Sequence, residues 1–284
     1  MAPRCFKLEV ILSALSSSTT MQKKPRLGQN FLVDADACRR VVAALGNIAQ
    51  DSVLEIGPGR GAITRLLAPA AGHLSLIEFD PTLAAALAAE FAAKPSVEVR
   101  HVDILTLDLT ALARQQDRKL VVVGNLPYYL TSDILLHLIA HHAAFDRAVL
   151  MVQREVAERV TAAPGSRDYG VLSATMQLYG DLQLLFTLPP SAFAPPPEVH
   201  SSVFRFHTRP RFEELGITAD RFVPFLRASF AQKRKTWSNN LRNAGFESTP
   251  IAAAFGTAGL DANVRAEGVD LPRMAAVFRA LSAS

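Results

Sequence analysis

The stretch "VLEIGPGRGAIT" (residues 53–64) joins a short apolar run to a glycine-rich turn and then to the start of a helical pattern. Gly57, Gly59 and Gly61 let the backbone turn tightly and approach a ligand closely. In the dinucleotide fingerprint the third glycine lies three positions after the second, whereas Gly61 lies two positions after Gly59. The spacing therefore disfavours an NAD-dependent reductase.

Short apolar runs alternate with helical patterns on the C-terminal side of this turn. This alternation predicts a parallel sheet covered on both faces, which is a Rossmann-like α/β fold. The predicted strands are 53–56, 74–79, 97–103, 120–123 and 147–153, with a helix at about 131–142. Two later runs, 182–189 and 201–208, are typical of an antiparallel pair joined by a proline-rich loop.

From about residue 212 onward the pattern is helical, which predicts a smaller, all-helical C-terminal domain. We expect a larger α/β domain at 21–210 and a smaller helical domain at 211–284. Residues 1–20 are expected to be a disordered extension, or a weak targeting peptide. No stretch reaches the roughly 18 apolar residues that span a bilayer, so we expect a soluble, cytoplasmic protein. The two cysteines form neither a disulfide framework nor a zinc spacing, and no metal site is predicted.

Three polar residues follow consecutive predicted strands. Glu78 ends the second strand, Asp103 the third and Asn125 the fourth. Open parallel sheets bind ligands at the carboxyl ends of their strands. A carboxylate at Glu78 can accept hydrogen bonds from ribose hydroxyls, and Asp103 can accept from an adenine amino group. The glycine turn, Glu78 and Asp103 follow three consecutive strands, and together they favour a nucleoside site over unrelated caps or turns, with Asn125 next to the same crevice.

The fourth strand ends in "GNLPYY" (124–129), and a turn does not need two tyrosines. We expect the Asn125 side chain and the Pro127 carbonyl to act as hydrogen-bond acceptors at the edge of the pocket. Tyr128 supplies a flat face on which a base can stack, and we expect this face, rather than the hydroxyl, to matter. Tyr129 is expected to pack against the scaffold. The G-x-G-x-G spacing at 57–61 matches the loop that S-adenosylmethionine-dependent methyltransferases use. Beside that loop, the turn predicts a site that holds a planar exocyclic amine next to a methyl donor.

At this point the chain resembles the ribosomal RNA adenine N6,N6-dimethyltransferase family, whose members use S-adenosylmethionine. The resemblance runs from residue 27 to about 245. Six motifs carry it, in the order of the family: "GQNFL", "EIGPGRGAIT", "IEFD", "GNLPYY", "QREVAERV" and "PPPEVHSSV". "NLPY" alone also occurs in DNA adenine methyltransferases.

The resemblance implies a role for individual residues. Cofactor contacts are implied for Asn30, Leu32, Gly57, Glu78, Asp103 and Asn125. Asn125, Pro127, Tyr128 and Phe193 are the implied catalytic group, with Phe193 as a second aromatic that closes over the target base. Lys233, Arg234 and Lys235 match a basic helical segment that contacts phosphate. Glu198 stands where the family usually has Lys, so the RNA contact of that Lys is not implied for this chain, while no catalytic role is affected. The resemblance makes 21–210 the implied catalytic domain and 211–284 the implied RNA-binding domain.

The resemblance also implies the reaction: methyl transfer to N6 of two adjacent adenosines in a hairpin loop near the 3′ end of small-subunit (16S) ribosomal RNA. The partner would be this RNA in a pre-ribosomal particle, and the enzyme a monomer. Basic clusters at 21–26 and 231–237 agree with a polyanionic partner. Two alternatives stay open: a large-subunit RNA methyltransferase of the antibiotic-resistance type, and a non-catalytic assembly or transcription factor on the same fold.

Overall fold

The computed structural model describes residues 30–282. The predicted extension at 1–20 and the basic cluster at 21–26 lie outside these residues. Contacts divide the chain into two compact units. The first comprises the residues up to Ala157 together with Asp181–Thr208, and the second comprises Glu158–Gly180 and the residues from Arg209 onward.

A seven-stranded sheet forms the centre of the first unit. Its strands are β2 (Ser52–Ile56), β3 (His73–Glu78), β4 (Val97–His101), β5 (Leu120–Asn125), β6 (Phe145–Gln153), β7 (Gly180–Leu188) and β9 (Ser201–Thr208). The spatial order is β4-β3-β2-β5-β6-β9-β7. A separate two-stranded sheet pairs β1 (Phe31–Leu32) with β8 (Phe193–Ala194).

Strands β2 to β6 are parallel, as predicted, and β9 runs antiparallel to β6. The run Leu120–Val123 in β5 is at most 1% exposed. β-Branched residues suit such a position because their side chains pack well on a pleated surface. The predicted neighbours near 182–189 and 201–208 are adjacent as β7 and β9.

Helices connect the strands of the first unit. They are α1 (Ala35–Ala44), α2 (Thr64–Leu67), α3 (Pro81–Glu90), α4 (Leu109–Gln115), α5 (Thr131–Ala140) and α6 (Arg154–Thr161), the last of which crosses into the second unit. Asp34, Asp80 and Asp108 precede α1, α3 and α4, and their carboxylates accept hydrogen bonds from backbone N–H groups of the first turn. These caps satisfy donors that a helix start leaves unpaired, so each helix begins at a defined residue.

The second unit is helical. It contains α7 (Val171–Tyr179), α8 (Phe212–Leu215), α9 (Ala219–Ser229), α10 (Trp237–Asn243), α11 (Ser248–Thr257) and α12 (Leu271–Ser282). Aromatic rings form part of its core: the ring centroids of Phe222 and Phe278 lie 5.3 Å apart, and those of Phe225 and Trp237 lie 6.1 Å apart. The predicted α/β fold with a smaller helical part is confirmed. The boundary between 210 and 211 stays a prediction about independently folding domains.

Candidate active site

A cavity of about 600 Å³ opens at the carboxyl ends of the parallel strands. The strand order reverses around β2, which has β3 on one side and β5 on the other. Such a reversal leaves a crevice outside the strand ends, where open α/β sheets bind ligands. The wall of the cavity includes Glu78, Asp103 and Asn125. The three strand-end residues singled out from the sequence therefore meet in one place.

The glycine turn after β2 forms the floor of this cavity. Gly57 and Gly59 have φ angles of +64° and +57°, a region that other residues rarely adopt. A Cβ atom at Gly59 would lie 2.9 Å from Cδ1 of Phe31. Glycine is therefore required at position 59 both by the backbone conformation and by the close approach of Phe31.

The Glu78 carboxylate is 4% exposed and fastens the glycine turn to the end of β3. Its Oε2 atom accepts a hydrogen bond from the Gly59 N–H at 3.0 Å, and its Oε1 atom accepts one from the Asp80 N–H at 2.9 Å. Each carboxylate oxygen has about two acceptor positions. One position on each oxygen is therefore left for a pair of hydroxyl donors.

Asp103 is half-buried on the wall of the cavity and also caps a short 3₁₀ turn, Ile104–Thr106. Its Oδ1 atom accepts a hydrogen bond from the Leu105 N–H at 2.9 Å. The capping interpretation and the ligand-binding interpretation are therefore compatible, because the second oxygen is not needed for the cap.

Glu55 also lines the cavity, and the sequence analysis assigned it no role. It is 2% exposed, and its Oε2 atom accepts a hydrogen bond from Thr64 Oγ1 at 2.7 Å. Burial raises its pKa to about 7, with a further increase from the charge of Glu78 and an opposing effect of the Thr64 hydrogen bond. A polar residue inside the otherwise apolar run "VLEI" was the available signal.

Asn125 ends β5 and is oriented by the N-terminal segment. Its Nδ2 atom donates a hydrogen bond to the Asn30 carbonyl at 3.1 Å. Because the amide nitrogen is used in this way, the side-chain oxygen remains available as an acceptor. Both residues line the cavity, so the predicted acceptor lies where a ligand can reach it.

The Pro127 carbonyl was expected to be a free hydrogen-bond acceptor, and the structure shows that it is not. This oxygen accepts hydrogen bonds from the Leu130 N–H and from Thr131 Oγ1, each at 3.0 Å. A carbonyl oxygen has two lone pairs, and both are used to build the turn that opens α5. Pro127 lines the cavity, but its carbonyl is not the free acceptor that the sequence suggested.

The two tyrosines of the turn both line the cavity. Tyr128 is half-buried, and its hydroxyl lies 2.9 Å from Ser201 Oγ, although the sequence analysis gave this hydroxyl no role. Tyr129 is 48% exposed, so the expectation that it packs against the scaffold is wrong. Partial burial, and then the charge of Asp103, raise the pKa of Tyr129. A turn of 3₁₀ geometry at Tyr128–Leu130 explains why neighbouring rings both reach the cavity.

The N-terminal segment closes one side of the cavity. Asn30 and Leu32 line it, as the predicted cofactor contacts require. Leu32 pairs with Phe193 across the β1–β8 sheet. Phe193 is 3% exposed and packs in the hydrophobic core, so the structure does not bring this ring onto the cavity wall. Its contact with a target base stays a prediction.

Lys233, Arg234 and Lys235 lie in the second unit on an exposed turn between α9 and α10, rather than on a helix. Lys233 Nζ donates a hydrogen bond to the Arg167 carbonyl at 3.3 Å. Asn240 stabilises the start of the turn: it is 3% exposed and donates a hydrogen bond to the Ser229 carbonyl at 2.8 Å. Phosphate contact by the three cations stays a prediction.

Two kinds of feature are absent from residues 30–282. No helix in this range is long and apolar enough to cross a membrane. No group of three or more His, Cys, Asp or Glu side chains in the same range is arranged to hold a metal ion.

The fold defines a Rossmann-like α/β protein with a cavity at the carboxyl ends of its parallel strands. A solved structure of the 23S rRNA methyltransferase ErmE is 24% identical, with a TM-score of 0.71 over 89% of this chain and 100% of that one. A dimethyladenosine transferase from Plasmodium falciparum is 23% identical, with a TM-score of 0.73 over 87% and 95% of the two chains. These likenesses support the fold.

The family follows from the sequence comparisons. A family model described as ribosomal RNA adenine dimethylase matches residues 20–282. The small-subunit ribosomal RNA methyltransferase A of Acidobacterium capsulatum is 57% identical over 91% of both chains. The protein of the same name from Koribacter versatilis is 45% identical over 94% of this chain and 98% of its own. The chain belongs to the ribosomal RNA adenine dimethylase family, and it is an S-adenosylmethionine-dependent methyltransferase.

Proposed function

We propose that this enzyme binds S-adenosylmethionine in the cavity and dimethylates N6 of two adjacent adenosines in a hairpin loop near the 3′ end of small-subunit ribosomal RNA. The observation that carries the proposal is the position of Asn125. Its amide nitrogen is held by Asn30, and its oxygen shares the cavity with Glu78 and Asp103. An acceptor for an amine and two acceptors for a nucleoside thus line one site.

The residues present fit the cofactor. The cavity volume of about 600 Å³ lies within the range of ligand pockets, about 300–1,000 Å³. The buried Glu78 retains acceptor capacity for two ribose hydroxyls, and Asp103 retains an oxygen for an adenine amine. Gly57 allows close approach of the methionine part to the turn. When bound, S-adenosylmethionine supplies an activated methyl group on a positively charged sulfur.

Asn125 and its neighbours orient the target amine. The lone pair of adenine N6 is delocalised into the ring, so the amine is a poor nucleophile. A hydrogen bond to the Asn125 side-chain oxygen favours a more tetrahedral nitrogen, whose lone pair can then be aimed. Since the Pro127 carbonyl is already bonded twice, we assign the second contact to the carbonyl of Leu126, which also lines the cavity. Positioning of this kind carries most of the catalysis.

A strong general base is not required before attack, because methyl transfer to N6 forms a cation that is acidic and loses its proton to water. Tyr128 offers a ring on which the base stacks, and stacking on an aromatic side chain contributes about 1–3 kcal/mol per base. A paired adenine would have to leave its helix at a cost of a few kcal/mol. An unpaired loop adenine avoids much of this cost, which favours a hairpin loop as the target.

The wider setting is part of the same proposal. The enzyme acts as a monomer in the cytoplasm, on ribosomal RNA within a pre-ribosomal particle. Lys233, Arg234 and Lys235 are exposed, which suits contact with phosphates that supply most of the RNA affinity. The names of the two relatives, which specify the small subunit, support this choice of RNA.

The test uses the full-length protein, S-adenosylmethionine and unmethylated ribosomal particles. Mass spectrometry of RNA fragments, with primer extension on both ribosomal RNAs, locates the modified bases. We expect two adjacent dimethyladenosines in small-subunit RNA, and none with Asn125→Ala in the same time. Modification of large-subunit RNA instead would indicate the resistance-type enzyme. Particle binding without any modification would indicate an assembly factor.

A further inference from the structure

The hydroxyl of Tyr128 makes a side-chain hydrogen bond to a residue 73 positions later in the chain. Its partner is the Oγ atom of Ser201, at 2.9 Å. Tyr128 is half-buried on the cavity wall, whereas Ser201 is 0% exposed. One end of the tyrosine ring is therefore fixed to the turn after β5, and the other end is fixed to a buried side chain.

The sheet explains how the two residues meet. Ser201 is the first residue of β9 and pairs with Gln153, the last residue of β6. Asn125, the last residue of β5, pairs with Met151 of the same β6 strand. Because β9 runs antiparallel to β6, its first residue lies at the edge of the sheet where β5 ends. The hydrogen bond thus crosses the end of β6.

A ring held in this way has one orientation. The torsion that turns an aromatic ring about its Cβ–Cγ bond has a broad energy minimum, so packing and the hydroxyl contact decide where the ring face points. A misplacement of about 1 Å near the reacting atoms can lower a rate about 100-fold. If the target base stacks on Tyr128, the rate of methyl transfer therefore depends on the orientation of this ring.

We propose that Ser201 is a positioning residue for methyl transfer: its hydroxyl sets the orientation of the Tyr128 ring, and with it the position of the stacked target base. The inference rests on the proposed function, because it takes Tyr128 as the stacking surface. Ser201 does not contact the base itself. It acts through the tyrosine.

The chain offers a matched control in the next residue. Ser202 lies on the same strand and is also 0% exposed, but its Oγ atom bonds Thr187 Oγ1 at 2.8 Å. Successive side chains of a strand point to opposite faces of the sheet. Removing the Ser202 hydroxyl therefore costs a buried hydrogen bond of the same kind without touching Tyr128.

The experiment is a double-mutant cycle with Ser201→Ala, Tyr128→Phe and the double variant, alongside Ser202→Ala. Single-turnover methylation of small-subunit particles gives the rate, and calorimetry gives the cofactor affinity. Each single variant should lose about 3- to 10-fold in rate, the effect of one hydrogen bond. The double variant should lose no more than either single one, because both remove the same bond. Ser202→Ala should retain the wild-type rate of methylation. Ser201→Thr keeps a hydroxyl at this position and should have most of the wild-type rate.

A second readout reports the ring directly. An RNA hairpin with 2-aminopurine at the target position loses fluorescence when the base stacks. Quenching on binding should be weaker with Ser201→Ala and Tyr128→Phe than with the wild-type protein or Ser202→Ala, while thermal midpoints of Ser201→Ala and Ser202→Ala stay similar. Losses that multiply in the double variant, or equal losses in both serine variants, overturn the inference. If the wild-type protein methylates no small-subunit RNA, the proposed function fails instead.

Discussion

The amide nitrogen of Asn125 donates a hydrogen bond to the backbone carbonyl of Asn30, 3.1 Å away and 95 positions earlier in the chain. A side chain at the end of a central strand is thereby oriented by the segment that leads into β1. The arrangement couples the proposed amine acceptor to the N-terminal wall of the cavity, so the Asn125 amide is held in this orientation only when that wall is in place.

Asn125→Ala should therefore lower the single-turnover rate by about 100-fold, the size of effect expected when a positioned contact at the reacting centre is lost. RNA affinity should change little, since phosphate contacts elsewhere supply most of it. Asn47→Ala, an exposed amide of the same unit outside the cavity wall, is the control. Equal losses of rate and RNA affinity would contradict the role in positioning.

Glu78→Gln should weaken S-adenosylmethionine binding by about 1–3 kcal/mol, the usual cost of leaving polar partners unmatched. In the wild-type protein both carboxylate oxygens accept hydrogen bonds from backbone N–H groups. Glutamine keeps one acceptor oxygen, but its NH₂ group would face the other backbone N–H, and two donors cannot pair. Calorimetry measures the change. Glu90→Gln, which alters a surface ion pair with Arg65, should leave the affinity as it is, and an unchanged affinity for Glu78→Gln would remove Glu78 from the ribose role.

Gly59→Ala should abolish most cofactor binding, because the new methyl group would lie 2.9 Å from the Phe31 ring and displace β1. Gly46→Ala separates this effect from backbone strain. Gly46 has a φ of +75° and open space around its Cβ position, so alanine there carries only a conformational cost of roughly 1–2 kcal/mol. Thermal unfolding should show a larger loss for Gly59→Ala, which adds the clash with Phe31 to the backbone strain, and only Gly59→Ala should lose cofactor affinity.

The buried Glu55 should make stability depend on pH. Its pKa in the folded protein is about 7, against an ordinary value of 4.5 for a solvated carboxyl group, so between these values the folded protein holds a proton that the unfolded chain has released. The free energy of unfolding should fall as pH rises through this window and level off above it. At about 1.4 kcal/mol per pKa unit, Glu55→Gln should gain on the order of 3 kcal/mol above pH 7. Parallel denaturation curves for both proteins from pH 4.5 to 8 would contradict this.

Charge reversal on the exposed turn should flatten the salt dependence of RNA binding. Each lost phosphate contact should reduce the slope of log affinity against log salt by roughly 0.7–0.9. Arg234→Glu and Lys235→Glu are the sharper variants, since Lys233 already bonds the Arg167 carbonyl. Arg273→Glu changes the charge of the same unit by the same amount at another exposed position. A slope that both positions change equally would point to net charge rather than to contacts at the turn.

Much of the architecture could be predicted because it depends on local pattern. Apolar runs in the sequence indicated β2 to β6. Because parallel strands end at the same edge of a sheet, Glu78, Asp103 and Asn125 could be predicted to lie close together. What could not be predicted depends on distant pairing. The contact of Ser201 with Tyr128 needs the register of β9 on β6, and no spacing in the sequence encodes it.

The same limit explains the differences around the turn. The Pro127 carbonyl accepts hydrogen bonds from the Leu130 N–H and the Thr131 hydroxyl, and these donors reach it only because the chain turns back at this point. The sequence alone does not give the positions of the two donors. Tyr129 was expected to face away from Tyr128, but a 3₁₀ turn places successive side chains at angles other than the alternation of a strand. The hydrogen bond from Thr64 to the buried Glu55 likewise depends on how the helix packs on β2.

The pairing of Phe31 with Ala194 has a consequence for how the enzyme is made. A ribosome synthesises β1 first, but the partner strand β8 leaves it only after β2 to β7 have been made. Closing so long a loop is entropically costly until the sheet between has formed. The nascent chain therefore carries its glycine turn and its acidic residues early and lacks the N-terminal wall until late. The cavity thus gains its N-terminal wall only after about two thirds of the chain has been synthesised.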